Sequence, residues 1–199
     1  MLAEAFDWRP GSPRADLDNL LLDPHIGHYI NGWKRPDDLG VVAIDNATRV
    51  PIAATWCRQL RADDPGYGYI ADDIPELTIG VEPDRRGLGI GTALLSALID
   101  EATQSHIPAL SLSVEHDNPA VRLYTRLGFT ITDDATGAWT MIRHLQEPTW
   151  QEHGNSPRIG GNGRKCSRLS LLCEEFEPSQ TGTRCAPTDR WVGQIENFQ

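Results

Sequence analysis

Long hydrophobic runs are missing from this 199-residue chain. No stretch of about 18 apolar residues exists, so nothing in the sequence reads as a membrane-spanning helix. Basic residues are few, 18 Lys and Arg against 28 Asp and Glu for a formal charge of −10. The absence of a basic stripe to neutralise phosphates argues against a general nucleic-acid binder, and no nucleic-acid partner is expected. An acidic surface suits either plain solubility or a cationic, amine-bearing partner. Cysteine is scarce and poorly spaced: Cys57 stands alone, and Cys166, Cys173 and Cys185 form no C-x-x-C pair. That spacing argues for reduced thiols and against a zinc site, even with His153 nearby, and no metal is expected. Met1 to Pro10 carries Glu4 and Asp7 and no hydrophobic signal region, so the expected location is the cytoplasm.

What is present is an ordered alternation of patterns. Ala3, Phe6, Leu17, Leu20 and Leu21 show helical spacing, cut by Pro10, Pro13 and Pro24. Residues 40–45 and 51–60 read as two strands of a hairpin, and 61–75 as a Gly/Pro/Asp loop carrying Tyr67 and Tyr69. Residues 76–81 form the next strand, with Leu77, Ile79 and Val81 on one face and Glu76 and Thr78 on the other. Leu94, Leu95, Leu98, Ile99 and Ala102 then predict a helix over 92–104. A strand at 109–114 follows. Asn118-Pro119 has the form of a helix cap with a first-turn proline, and Gly128 of a left-handed stop. A hairpin around Thr136-Gly137 ends the pattern. The strands flanking the long helix make one β-α-β crossover and are expected to be parallel; the others are hairpins.

The decisive stretch is "EPDRRGLGIGTALL", residues 82–95. It places Gly87, Gly89 and Gly91 behind two arginines and at the start of an apolar helix. Such a loop suits a phosphate-bearing ligand, because glycines let main-chain N–H groups approach it and the helix dipole favours negative charge. A P-loop needs a Gly-Lys-Ser/Thr ending, and here Gly91-Thr92 has no lysine. A dinucleotide loop needs G-x-G-x-x-G, and the spacing here is G-x-G-x-G.

The remaining pattern, Arg-x-x-Gly-x-Gly over Arg86, Gly89 and Gly91, resembles the signature of the GNAT superfamily of N-acetyltransferases. "LSLSVEHDNPAVRLYTRLGF", 110–129, is similar to the superfamily's second motif, and the flanking strands extend the likeness to about 36–145. The resemblance implies an α/β (α+β) fold: a mixed, mostly antiparallel sheet whose two parallel strands splay apart around the cofactor's pantetheine arm. It also implies acetyl-CoA as co-substrate and an amine-bearing acceptor. The diphosphate would rest on Arg86, Gly87, Leu88, Gly89, Ile90, Gly91 and Thr92, with Arg86 as the side-chain complement and Asn118 as a further contact or a helix cap. Ile79 and Val81 would bond the arm, Gly80 leaving room for it. Tyr124 would stand by the thioester sulfur as acid or donor, or simply fill a helix-strand seam. Glu76 would be the base, or a solvated strand-end carboxylate. Arg85, Glu115 and His116 read as surface, and Asp63, Asp64, Asp72 and Asp73 as a solvated loop or a lure for a cation.

Two departures from the superfamily pattern stand out. Its usual first strand is missing, since residues 1–8 already read as helix, and the strand at 40–45 would then be an open edge unless the tail or a second chain covers it. A homodimer is one expected consequence. Periodicity also stops near Gln146: residues 1–145 carry a net charge of −9 and the rest −1, so 1–145 is expected to be the transferase domain and 146–199 a low-order extension. The sequence leaves two functions open, an N-acetyltransferase and a non-catalytic acyl-CoA-binding module; an altered, inactive copy is a third possibility.

Overall fold

The computed structural model of the chain describes residues 1–9, 11, 15–135, 137–146 and 193–198. Three short helices come first, α1 (Leu2–Phe6), α2 (Leu17–Leu22) and α3 (Pro24–Gly27), followed by strands β1 (Leu39–Asp45), β2 (Pro51–Arg58) and β3 (Glu76–Val81). Helix α4 (Ile90–Gln104), β4 (Ala109–Glu115), α5 (Val121–Arg126), β5 (Thr130–Ala135), β6 (Ala138–His144) and β7 (Gly193–Phe198) complete the order. The seven strands form one sheet in the order β5-β6-β4-β3-β2-β1-β7. Only β3 and β4 are parallel, as the crossover requires.

The sheet separates two apolar cores. Leu94, Leu95, Leu98, Ile99 and Ala102 of α4 are fully or nearly buried against Val41, Ala43, Ala53, Cys57 and Leu77. On the opposite face Leu2, Tyr29, Ala54, Trp56 and Leu60 pack together. Strand alternation produces this division: Ala53 and Cys57 of β2 point one way, Ala54 and Trp56 the other. Arg58 shares the second face and is buried there with Asp38, its Nε donating to Oδ1 at 2.9 Å and its Nη2 to Oδ2 at 2.7 Å. Nη1 donates to the carbonyls of His28 and Asn31 at 2.9 and 2.8 Å. Burial pushes the Asp38 carboxyl upward, but the hydrogen bonds from Arg58 and the Arg35 amide outweigh it and hold the group below its ordinary range. The pair thus ties the α3 end and the approach to β1 onto β2.

Three expectations change. Strand β1 is not an open edge: β7 pairs with it antiparallel from Gly40–Phe198 to Asp45–Gly193. Ile195 packs on the α4-side core, and Asn197 donates to Glu101 at 3.0 Å. The edge on which the homodimer expectation rested is therefore occupied. Helix α4 begins at Ile90, two residues early. Helix α5 begins at Val121, three residues after Asn118, because Asn118 Oδ1 accepts the Ala120 N–H at 2.9 Å and shapes a turn ahead of the helix. The expected extension, apart from Gln146 and β7, lies outside the described residues, as do Cys166, Cys173, Cys185 and His153.

Candidate active site

After β3 the chain turns through Pro83–Arg85 into the glycine loop. Gly87 and Gly89 hold φ of 76° and 86°, a left-handed backbone that L side chains resist. A β-carbon on either would meet nothing within 4 Å, so the loop borders open space. The first helical bond runs from Ala93 N–H to Gly89 O at 3.1 Å. The N–H groups of residues 87–92 therefore have no acceptor among the described residues, at the positive end of a 15-residue helix.

These amides rim a cavity of about 680 Å³ lined by Gly87, Gly89, Gly91, Thr92, Ile79, Val81, Asn118 and Tyr124. Leu88 and Ile90 do not line it. Their side chains pack into the core, leaving only main-chain atoms to the loop. The cavity opens where the parallel strands part, since β3 and β4 are in register at Glu76–Ser111 alone. Helix α1 and the following turn form the far wall through Glu4, Ala5 and Trp8. Here the expectations need correcting. The space over Gly80 is taken by the Met1 carbonyl and Glu4 Cβ. The Arg86 guanidinium is engaged by Val81 O at 3.0 Å, Trp8 O at 2.9 Å and the Glu4 carboxylate at 3.6 Å. It lines the cavity, as expected of a residue beside the loop, and also braces α1 against the loop. Arg85 is not freely solvated: it lines the cavity and pairs with Asp45 at 3.5 Å.

A second cavity, about 610 Å³, adjoins the first and shares Ala5, Trp8, Ile79, Asn118 and Tyr124 with it. Its remaining wall includes three acids and three aromatics, Glu76, Glu115, Asp117, Phe6, Tyr29 and Tyr67, together with Arg9. Glu115 is thus part of a cavity wall and pairs with Arg9, which also lies 3.4 Å from Asp117 and over the Trp8 ring. Glu76 is not the solvated strand-end carboxylate the sequence left open; it is 3% exposed. Burial drives its carboxyl up to about 7, against the pull of hydrogen bonds from Tyr29 and the Gly68 amide. Tyr124 is buried beside Phe129, and burial raises its phenol above the ordinary range, so it stays a neutral donor. In the 61–75 loop two of the four acids are engaged, Asp64 with His28 and Asp72 with Tyr69 and the Ala62 amide. No group of three or more His, Cys, Asp or Glu among the described residues is placed to hold a metal ion. No helix among them is long and apolar enough to cross a membrane.

The family model of the Acetyltransferase (GNAT) family matches residues 3–129, taking in most of α1, the split strands and the whole lining of the first cavity. The chain belongs to the GNAT family. Among curated relatives, the mycothiol acetyltransferase of Corynebacterium aurimucosum is 32% identical over 136 residues, covering 66% of this chain and 41% of that protein. The L-2,4-diaminobutyric acid acetyltransferase of Nocardia farcinica is 28% identical over 116 residues, covering 51% of this chain and 58% of that one. The chain spans about two fifths of the length of the mycothiol acetyltransferases it matches. Among solved structures, the GNAT domain of S. lividans PAT superposes with a TM-score of 0.51 at 17% identity, covering 67% of this chain and 71% of that one. That likeness is one of fold.

In this GNAT chain the two motifs read from sequence meet across the strand split, with Gly87–Thr92 on one side and Asn118 and Tyr124 on the other. Sequence reasoning missed Tyr29, which bonds Glu76 from 47 residues away. It also missed Arg126, on the first cavity, and Trp8 and Arg9 on α1's trailing turn. Arg126 alone carried a usable signal, a cation on the helix within the second motif.

Proposed function

We propose that the chain is an acetyl-CoA-dependent N-acetyltransferase that acts on a primary amine of a small molecule or protein. The observation that carries this reading is the junction of two cavities at Ile79, Asn118 and Tyr124. One cavity ends in unbonded amides at a helix N-terminus, the other in a buried carboxylate. The relatives' names carry two different compounds, so they support the reaction class and leave the acceptor open.

Bound acetyl-CoA would supply an activated thioester. The amides of residues 87–92 hold the diphosphate, and Arg85 and Arg126 add positive charge beside it. An alkyl ammonium has a pKa of about 10.4 and must lose a proton before it can attack. Glu76, at about 7, is poised to take that proton near neutral pH, through a water in the second cavity. A strand N–H near Ile79 would stabilise charge on the thioester's carbonyl oxygen. Tyr124 would donate to the thioester sulfur.

The test is a thermal-shift titration with acetyl-CoA and with CoA, followed by an amine panel monitored for released thiol. Saturable stabilisation by both and thiol release with a subset of amines are expected. Binding without transfer across the panel would favour an acyl-CoA-binding module, and the absence of binding would remove both readings.

A further inference from the structure

The surroundings of Glu76 distinguish its two oxygens. Oε1 accepts the Tyr29 Oη–H at 2.8 Å and the Gly68 N–H at 2.8 Å. Oε2 is buried and has no hydrogen bond among the described residues. Tyr29 Oη in turn accepts the Tyr67 N–H at 2.8 Å. A main-chain amide cannot accept, so the phenol's single proton has only Glu76 to go to. When Glu76 takes up a proton, Oε1 faces two donors and cannot carry it. The proton belongs on Oε2.

Tyr29 is held in place to do this. Its ring meets Phe6 edge-on at 6.0 Å and His28 edge-on at 4.7 Å, and it stacks on Tyr67 at 6.4 Å and 15°. Its own main-chain carbonyl accepts the Trp56 indole N–H at 3.0 Å. Burial and the Glu76 charge push its phenol far above the ordinary range, which keeps it a donor. Few charges compete. Arg58 lies opposite Glu76 on β2 but is spent on Asp38, and Ser111 opposite it on β4 is neutral. His28, packed on Tyr29, bonds Asp64 at 2.9 Å. On the loop side the groups are main-chain amides, and a side chain at Gly66 would collide with Glu76 Oε2 and Tyr29 Oη.

We propose that Tyr29 is a positioning residue for the acetyl-transfer base: by anchoring Oε1 of Glu76 it fixes the carboxyl's orientation and favours the charged form that takes the acceptor's proton. This rests on the transferase reading above. In the step itself, the ammonium N–H bond breaks, an O–H bond forms on the Glu76 carboxyl by way of water, and the nitrogen keeps the electron pair with which it attacks.

Two measurements on the whole chain test it, with folding of each variant checked by circular dichroism. The first is the pH profile of kcat/KM for the wild type and Tyr29→Phe. Loss of a hydrogen bond to the charged form raises the acid limb by about one pH unit. The variant's rate therefore falls about tenfold at pH 6 and recovers by pH 9, with KM for acetyl-CoA unchanged. Incorporation of 3,5-difluorotyrosine at position 29, a stronger donor of nearly the same size, moves the limb downward and covers the case in which Tyr29→Phe fails to fold. The second is a carboxyl ¹³C NMR titration of Glu-labelled protein, which follows Glu76 without any turnover. An unmoved limb and an unmoved Glu76 titration in a folded variant overturn the proposal. A moved titration in a protein that transfers acetyl to no amine leaves the Tyr29–Glu76 coupling standing and removes the transferase reading alone.

Discussion

Replacing Glu76 with glutamine is expected to make the protein more stable at pH 8 and less active at every pH. The Glu76 carboxyl lies at about 7 in the fold against an ordinary value of 4.5. Between those values the folded chain holds a proton that the unfolded chain has released, so stability falls as pH rises through that window. The contribution is complete below pH 4.5 and gone above 7, and the interval corresponds to about 3 kcal/mol. Glutamine carries no charge and can present its carbonyl oxygen to Tyr29 Oη and the Gly68 N–H as Oε1 does. It also places an amide NH₂ where Oε2 has no partner, at a cost of about 1–2 kcal/mol. The balance is a gain of about 1–2 kcal/mol at pH 8 and a loss of about 1 kcal/mol at pH 5. Urea melts of both proteins at the two pH values read this directly. A variant destabilised equally at pH 5 and pH 8 would refute the reasoning, because burial of the charge would then not be what strains the fold.

Gly89→Ala imposes left-handed strain of about 1–2 kcal/mol and puts a methyl group into the open space above the loop. Acetyl-CoA affinity by calorimetry should fall at least tenfold; an unchanged value would detach the loop from the phosphates. Arg58→Met leaves Asp38 charged in the core without its cation, held by the Arg35 amide, and urea unfolding should show a loss of about 3–5 kcal/mol, largely recovered in Arg58→Met/Asp38→Leu. Ile195→Asp removes the side chain through which β7 packs on the core, costs about 2 kcal/mol and exposes β1. Size-exclusion chromatography should then show concentration-dependent association.

The elements legible in the sequence are those whose information is local. Strand β3, the glycine turn and α4 announce themselves by period-two and period-3.6 patterning and by two residues of positive φ. Strand β7 was not legible, because "GQIENF" alternates weakly and its reason for pairing is an edge far away in the chain. The surroundings of Glu76 were hidden for the same reason: its partners come from α3's trailing turn and from the 66–68 loop, neither of which carries a pattern that points to β3. Arg86 shows a subtler limit. The motif placed it beside the glycine loop, and it is there, but its donors go to Val81, Glu4 and Trp8, and the last two sit where α1 and its trailing turn pack on the second core.

The pairing of Val42 with Glu196 has a consequence for biosynthesis. At ribosomal rates, about 150 residues separate emergence of the two strands by roughly ten to thirty seconds. During that interval every other strand of the sheet can assemble while β1 waits unpaired on its outer side. The nascent polypeptide thus spends its longest stage one strand short, and slowing translation would lengthen the period in which a chaperone, or a neighbouring polysome's product, can reach it first.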